Sequence, residues 1–202
     1  NIKVTASVVG DAKAVLSRLL PHITEASHKE WLMTFERPEA VEYEKVIKIE
    51  TEPSEGMMNM GEVAMKVSEA SYHNAILVTD VGQNQMLSAR YFKFNDTNSI
   101  VTSGGLGTMG FGLPAAIGAK IGRPDRQVCL FVGDGGLQMT VQELGTILEY
   151  KVPVKIILLN NNFLGMVRQW QELFYQKHYS QTPMTNPDFV ALANAYGISA
   201  ED

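Results

Sequence analysis

From residue 59 onward the chain alternates two kinds of hydrophobic pattern. Predominantly apolar runs occupy 75–79, 128–132 and 154–159, with a shorter run at 100–102. Between them lie segments of helical character: 60–71, the small-residue stretch 107–121, and a segment opened by Thr140-Val141-Gln142-Glu143. Apolar runs without polar alternation mark strands buried on both faces, and strand–helix–strand spacing calls for parallel pairing. The pattern predicts an α/β fold: a doubly wound, mainly parallel sheet with helices on both faces. In such sheets ligands bind beyond the carboxyl ends of the strands.

Polar punctuation places the helix ends. Asn59 is positioned to cap the helix at 60–71, and Thr140 with Glu143 fits a capping box, hydroxyl to one amide and carboxylate back to the other. A last helix is expected with Asn186 as cap, Pro187 at its first position and Gly197 at its end. Towards the amino terminus, a strand-like run at 2–6 precedes a helix at 12–20, capped by Asp11 and stopped by Pro21. These two elements are too small to build a core, and residues 1–21 read as the tail of a preceding, middle domain. Residues 22–58 are charged and interrupted by Pro38 and Pro53, as in a linker carrying some helix. The expected division is therefore 1–21, 22–58, and a main domain over 59–202 that is truncated at its carboxyl end. A first residue that is not Met and an end just beyond a helix both read as cuts through a larger protein.

Composition narrows the class. Of 202 residues, 45% are hydrophobic and 19% charged, which is globular and not disordered composition. A net charge of −5 without a basic cluster argues against nucleic acid or an anionic membrane as partner. The single cysteine, Cys129, sits within an apolar run and reads as a buried core thiol, so no disulfide framework exists. That fits a reducing compartment, the cytoplasm or an organelle interior. No apolar run approaches the ~20 residues of a spanning helix, and no signal peptide is visible.

Two motifs carry chemistry. Gly133-Asp134-Gly135-Gly136 ends one predicted strand and Asn160-Asn161-Asn162 ends the next. They are one strand–helix–strand unit apart, close to the ~30 residues of a parallel crossover. Neighbouring strands lie roughly 4.8 Å apart, so the Asp134 and Asn161 side chains can converge on one ion. A carboxylate and an amide oxygen form a hard donor set suited to Mg²⁺, which completes its shell with water and phosphate. The glycines leave backbone amides and a helix start free to face a diphosphate. By contrast, the G-x-G-x-x-G match at Gly105, Gly107 and Gly110 is a poor dinucleotide site. Its candidate acid, Asp125, precedes its strand and cannot reach a ribose.

Gly-Asp-Gly followed at this interval by Asn-Asn resembles thiamine-diphosphate enzymes. That resemblance implies Mg²⁺ held by the Asp134 and Asn161 side chains and the Phe163 backbone carbonyl, with Gly133, Gly135 and Gly136 along the diphosphate. It extends to 102–119, where Gly107 would meet the aminopyrimidine through its backbone and Met109 would wedge the cofactor into a bent shape. The bend brings the pyrimidine amine beside the reactive ring carbon. Asp80-Val81-Gly82-Gln83-Asn84 is similar to the family's turn beneath the diphosphate, placing Val81, Gly82, Gln83 and Asn84 in reach. Asn84 departs from the pattern, since the family typically carries His there; Asn can donate to phosphate but carries no charge.

Phe163-Leu164-Gly165-Met166-Val167-Arg168-Gln169-Trp170 resembles, more narrowly, the acetohydroxyacid (acetolactate) synthase large subunits. On that resemblance Leu164 and Gly165 lie along the diphosphate, Met166 lies beside the reactive ring, and Trp170 lines the access channel. The implied reaction decarboxylates pyruvate and condenses the two-carbon unit with a second 2-ketoacid, leading to valine, leucine and isoleucine. It further implies a homodimer or higher oligomer, a possible regulatory subunit, and an activating Glu from the neighbouring subunit's amino-terminal domain. That Glu is absent here, and any FAD would be held by the middle domain, so the chain alone is expected to bind but not to turn over. Two alternatives stay open: another thiamine-diphosphate enzyme of pyruvate oxidase or glyoxylate carboligase type, and a non-catalytic α/β assembly module. His22, His28, His73 and His178 fall in none of these motifs and read as surface residues.

Overall fold

The computed structural model describes residues 3–53 and 56–202. Its strands are β1 (Ile76–Thr79), β2 (Ile100–Val101), β3 (Val128–Gly133) and β4 (Lys155–Leu159), forming a four-stranded sheet in the order β2-β1-β3-β4. All three pairings are parallel, with Leu77 opposite Ile100, Val78 opposite Leu130, and Phe131 opposite Ile157. The chain runs outward from β1 to β2, then crosses back over β1 to β3. Between β1 and β3 the winding direction reverses, which opens a crevice at the carboxyl ends of those two strands.

The helices are α1 (Ala12–Leu19), α2 (Lys29–Glu42), α3 (Lys48–Thr51), α4 (Met60–Ala70), α5 (Gln83–Tyr91), α6 (Gly112–Gly122), α7 (Asp134–Met139), α8 (Leu144–Tyr150), α9 (Gly165–Phe174) and α10 (Phe189–Ala195). Two hydrophobic clusters cover the two faces of the sheet. Leu77, Cys129 and Phe131 point into one, with Ala64 of α4 and Tyr91 of α5. Ile76, Val78, Val128, Leu130 and Val132 point into the other, with Leu113 and Ala116 of α6, Leu137 of α7 and Leu144 of α8. Successive residues of β3 thus bury alternately in opposite layers, and Leu130, Phe131 and Val132 are fully enclosed. This doubly covered parallel sheet is the architecture expected from the apolar runs.

The chain divides into two compact units, 1–46 and 47–202. In the first, Asp11 caps α1 by accepting from the Ala14 amide at 2.9 Å, and neither α1 nor α2 buries a residue. No strand forms over 3–6; residues 1–2 of the expected strand lie outside the described residues. Pro38 does not interrupt the chain's helix as expected. It sits exposed inside α2, where the carbonyl it fails to satisfy can be hydrated, and the helix continues through a π turn at Tyr43–Ile47 into α3.

Four helix starts differ from expectation, and each has a local cause. Asn59 precedes α4 but donates its amide to the Ile49 carbonyl instead of capping. The helix expected from 107 begins only at Gly112, because Gly107 and Gly110 take left-handed φ values of 62° and 86°. A Cβ at Gly110 would also press on Met139 and Thr140 at 3.0 and 3.1 Å. The capping box does not form, since Thr140 donates to the Gly110 carbonyl and Glu143 accepts from Thr146. Finally, α10 is capped by Asp188, whose carboxylate accepts from the Ala191 amide at 2.8 Å, and Asn186 is used elsewhere.

Cys129 is 3% exposed in the interior of β3, and burial pushes its thiol from 9.0 up to about 11, slightly offset by Lys155. A raised thiol stays neutral and unreactive at neutral pH, and the stability it contributes is present below pH 9 and lost towards 11. Ellman's reagent at pH 8 is therefore expected to titrate no thiol in the native protein and one after denaturation; rapid native labelling would contradict this packing.

Candidate functional site

Four chain segments meet at the β1/β3 crevice: the turn after β1, the loop before α6, the β3–α7 junction and the β4–α9 loop. Just beyond β1, β3 and β4 stand Asp80, Asp134 and Asn161, whose side chains organise the turns there. Asp80, fully buried after β1, accepts the amides of Gly110 at 3.2 Å and Gly112 at 2.8 Å through its two oxygens. It thereby satisfies one donor of the loop and one at the start of α6, and fixes the loop carrying Gly107 and Met109. Gly112 and Gly136 both abut Asp80, and a Cβ at either would collide with it.

Asp134 opens α7 and is 2% exposed. Its Oδ1 accepts from the Gly135 amide at 3.0 Å and its Oδ2 from the Asn186 carboxamide at 2.6 Å. Asn161 Oδ1 accepts from the Phe163 amide at 3.0 Å, and this turn leads the β4 end into α9. Phe163 is held by Arg168, whose guanidinium carbon lies 3.9 Å from its ring centroid and 5.1 Å from that of Tyr179.

Val81, Gly82, Gln83, Asn84, Gly107, Met109, Gly133, Asp134, Gly135, Gly136, Asn161, Phe163, Leu164, Gly165 and Met166 all line one cavity of about 200 Å³. Met60, Leu159 and Val167 complete its wall, and the sequence reading had not singled these out. Trp170 lies outside this cavity, 55% exposed and stacked on Phe174 at 4.9 Å. Asp80, Gln138 and Asn186 are the organising residues missed in sequence. Asp80 adjoined a motif but was assigned no role, and Asn186 stood where a helix cap was expected.

The electrostatics of the cavity come from backbone. The residues preceding α5, α7 and α9 are Gly82, Gly133 and Leu164; all three line the cavity, and none caps its helix with a side chain. Each helix start presents N–H groups without intrahelical partners and the positive end of its dipole. Three such ends around one cavity favour an anion. Among the described residues no three His, Cys, Asp or Glu side chains gather to hold a metal, so any cation here would need neutral oxygens and ligand oxygens besides Asp134. Asn84, 5% exposed, donates to the Val81 carbonyl, and its Oδ1 is buried without a partner.

Asp125 lies far from this chemistry, before β3, where Arg123 bonds both its oxygens and lowers its carboxyl to about 2. It serves no ribose. Of the histidines, His22, His28 and His178 are exposed as expected; His73 is half-buried, its Nδ1 2.8 Å from the Ser68 hydroxyl.

Known proteins are similar to this chain in sequence and fold. Residues 80–202 match the family described as thiamine pyrophosphate enzyme, C-terminal TPP binding domain, and the chain belongs to that family. Acetolactate synthase large subunit of Lactococcus lactis is 43% identical over 199 residues, covering 98% of this chain and 34% of that protein. Acetolactate synthase isozyme 2 large subunit of Escherichia coli is 50% identical over 137 residues, covering 67% and 25%. Among solved structures, the thiamine diphosphate-dependent 4-hydroxybenzoylformate decarboxylase of Rhodococcus jostii superposes with a TM-score of 0.68 at 29% identity, covering 74% of this chain and 28% of that one. The chain thus spans about a third of the length of the curated relatives it matches.

Asp80 gives the site a test independent of any ligand. In Asp80→Asn one carboxylate oxygen becomes an NH₂ facing a backbone N–H, and a buried charge-assisted bond is lost. The expected loss of stability is roughly 1–3 kcal/mol. Urea unfolding of both proteins measures it, and an unshifted midpoint would show that the loop does not depend on this carboxylate.

Proposed function

We propose that the protein is the cofactor-binding portion of an acetolactate synthase catalytic chain, which decarboxylates pyruvate and joins the two-carbon unit to a second 2-ketoacid for branched-chain amino-acid synthesis. The observation that carries this reading is the meeting of three helix starts without side-chain caps around a cavity with one buried carboxylate on its wall. Thiamine diphosphate with Mg²⁺ would suit such a surface: the uncapped helix starts would meet the diphosphate and the Asp134 carboxylate would hold the metal.

In this reading thiamine diphosphate, when bound, supplies the carbanion chemistry, and the protein binds, orients and shields it. Asp134 and Asn161 hold Mg²⁺ by side-chain oxygen and Phe163 by its carbonyl. Asn161 Oδ1 retains a lone pair beyond the one given to the Phe163 amide. Gln83, Asn84 and the amides following Gly133 and Leu164 take the diphosphate. Gly107 offers backbone to the pyrimidine, Met109 and Met166 supply apolar surface beside the reactive ring, and Trp170 shapes access for the second ketoacid. A cavity of about 200 Å³ is smaller than the roughly 300–1,000 Å³ of pockets that enclose a ligand of this size. It therefore forms one wall of the site. The remainder, including the activating Glu and any FAD, belongs to surfaces outside these 202 residues, in a homodimer or larger assembly with a regulatory subunit. Residues 1–21 and 22–58 act as the end of a preceding domain and its linker.

The likeness to a 2-ketoacid decarboxylase supports a second reading, decarboxylation without condensation, but at 29% identity against 43% for the synthase it ranks below the first. Calorimetric titration of thiamine diphosphate, with Mg²⁺ or with EDTA, tests the site. Binding is expected with Mg²⁺, and is expected to be lost in EDTA and in Asp134→Ala. Binding unaffected by either would refute the metal assignment. Product analysis with pyruvate in the full-length protein separates the readings: acetolactate supports the synthase, free aldehyde or acetyl phosphate the alternatives.

A further inference from the structure

The segment before α10 is strapped antiparallel against the loop that follows β4. The Leu164 amide donates to the Thr182 carbonyl at 2.9 Å, the Met184 amide to the Asn162 carbonyl at 2.8 Å, and Phe163 and Pro183 form a bridge. At the end of this strap the Asn186 carboxamide reaches into the cluster of site side chains. Its Nδ2 donates to Asp134 Oδ2 at 2.6 Å and also meets Asn160 Oδ1 at 2.9 Å and Asn162 Oδ1 at 3.1 Å. Its Oδ1 accepts from Gln138 of α7 at 3.0 Å, and the same Gln138 nitrogen donates to the Asp134 carbonyl at 3.2 Å. One side chain thus ties the buried carboxylate at the end of β3 to the Asn run at the end of β4.

Two features make this more than a loop contact. Asp134 is 2% exposed, and among the described residues its carboxylate accepts from the Gly135 backbone amide on one oxygen and from the Asn186 side chain on the other, so Asn186 sets the plane of the carboxylate. Asn162 holds a left-handed φ of 58°, and both its carbonyl and its side chain are engaged by the strap. The turn presenting Asn161 and the Phe163 carbonyl is stabilised in that unusual conformation from outside. An amide NH₂ has two hydrogens for the three oxygens around it, so the group is a shared hub and not a simple pair.

We infer that Asn186 is a positioning residue for the divalent cation: it orients Asp134 and locks the Asn160–Asn162 turn relative to it, so that the metal-binding oxygens are set before the metal arrives. This rests on the reading of Asp134 and Asn161 as metal ligands. Groups that orient ligands from behind typically change metal affinity about 10–100-fold when removed.

The test is a Mg²⁺ titration of the full-length protein at saturating thiamine diphosphate, followed by tryptophan fluorescence, with Mn²⁺ binding by electron paramagnetic resonance as a second readout. Asn186→Ala is expected to raise the Mg²⁺ dissociation constant about 10–100-fold. Asn186→Gln, which keeps the donors on a longer stem, is expected to recover part of that loss. Asn186→Ser is the substitute if the Ala variant does not fold. Asp188→Ala is the control: it removes the α10 cap on the same strap without touching the site, and should lower thermal stability while leaving Mg²⁺ affinity within twofold. Equal Mg²⁺ affinity in wild type and Asn186→Ala would overturn the inference alone, as would an equal loss in Asp188→Ala, which would reduce Asn186 to general ordering of the strap. No Mg²⁺-dependent binding in the wild type would overturn the metal reading itself, and this inference with it.

Discussion

The Asp80 carboxylate is the contact on which the crevice is built. It follows β1, sits fully buried, and takes the Gly110 amide of the loop and the Gly112 amide that opens α6 onto its two oxygens. A carboxylate in such a place is tolerated only because donors meet both oxygens. Those donors sit at the end of a loop whose other hydrogen bonds are mostly internal, such as the Gly107 amide to the Ser103 carbonyl, apart from the Thr140 hydroxyl on the Gly110 carbonyl, and whose tip is open, with Leu106 92% exposed. The same carboxylate fills the space beside Gly136, and the Cβ and backbone nitrogen of Asp80 fill the space beside Gly112, so three elements close on this one residue. Met109 and Gly107 face the cavity because this contact holds the loop across the end of the sheet.

With α6 satisfied from outside, the other helix starts at this end of the sheet remain open. That division is what gives the cavity its sign. No lysine or arginine lines it and the protein's net charge of −5 offers an anion no long-range attraction, so the uncapped helix starts around the cavity are its local source of positive potential. Backbone donors of this kind are already in place before a ligand arrives, which lowers the reorganisation needed to bind one.

Most of the architecture was legible in the sequence because burial on both faces marks the central strands: the runs at 75–79 and 128–132 had no polar alternation and became β1 and β3, while the run at 154–159, which includes the exposed Lys155, became the half-buried edge strand β4. The cavity was legible because glycines and an Asp or Asn stood directly at strand ends. Helix starts were less legible. Thr140 with Glu143, Asn59 and Asn186 each satisfied a local rule for capping, and each spent its side chain on a distant partner instead: the Gly110 carbonyl, the Ile49 carbonyl and the Asp134 carboxylate. A cap competes with any tertiary partner of similar strength, and short-range pattern carries no information about that partner. The late start of α6 had the same origin, since nothing in the run of small residues says which glycines will turn left-handed.

The two hydrophobic layers are separated by the sheet, and each anchors a different side of the cavity. α5 rests on the layer containing Phe131, whereas α7 rests on the layer containing Leu130. An anion bonded to both helix starts becomes a tether between two cores that share only the strands between them. Occupancy then stiffens the domain as a whole and merges the melting of its layers into one event, so loosening of either layer, however remote from the ligand, registers as weaker affinity.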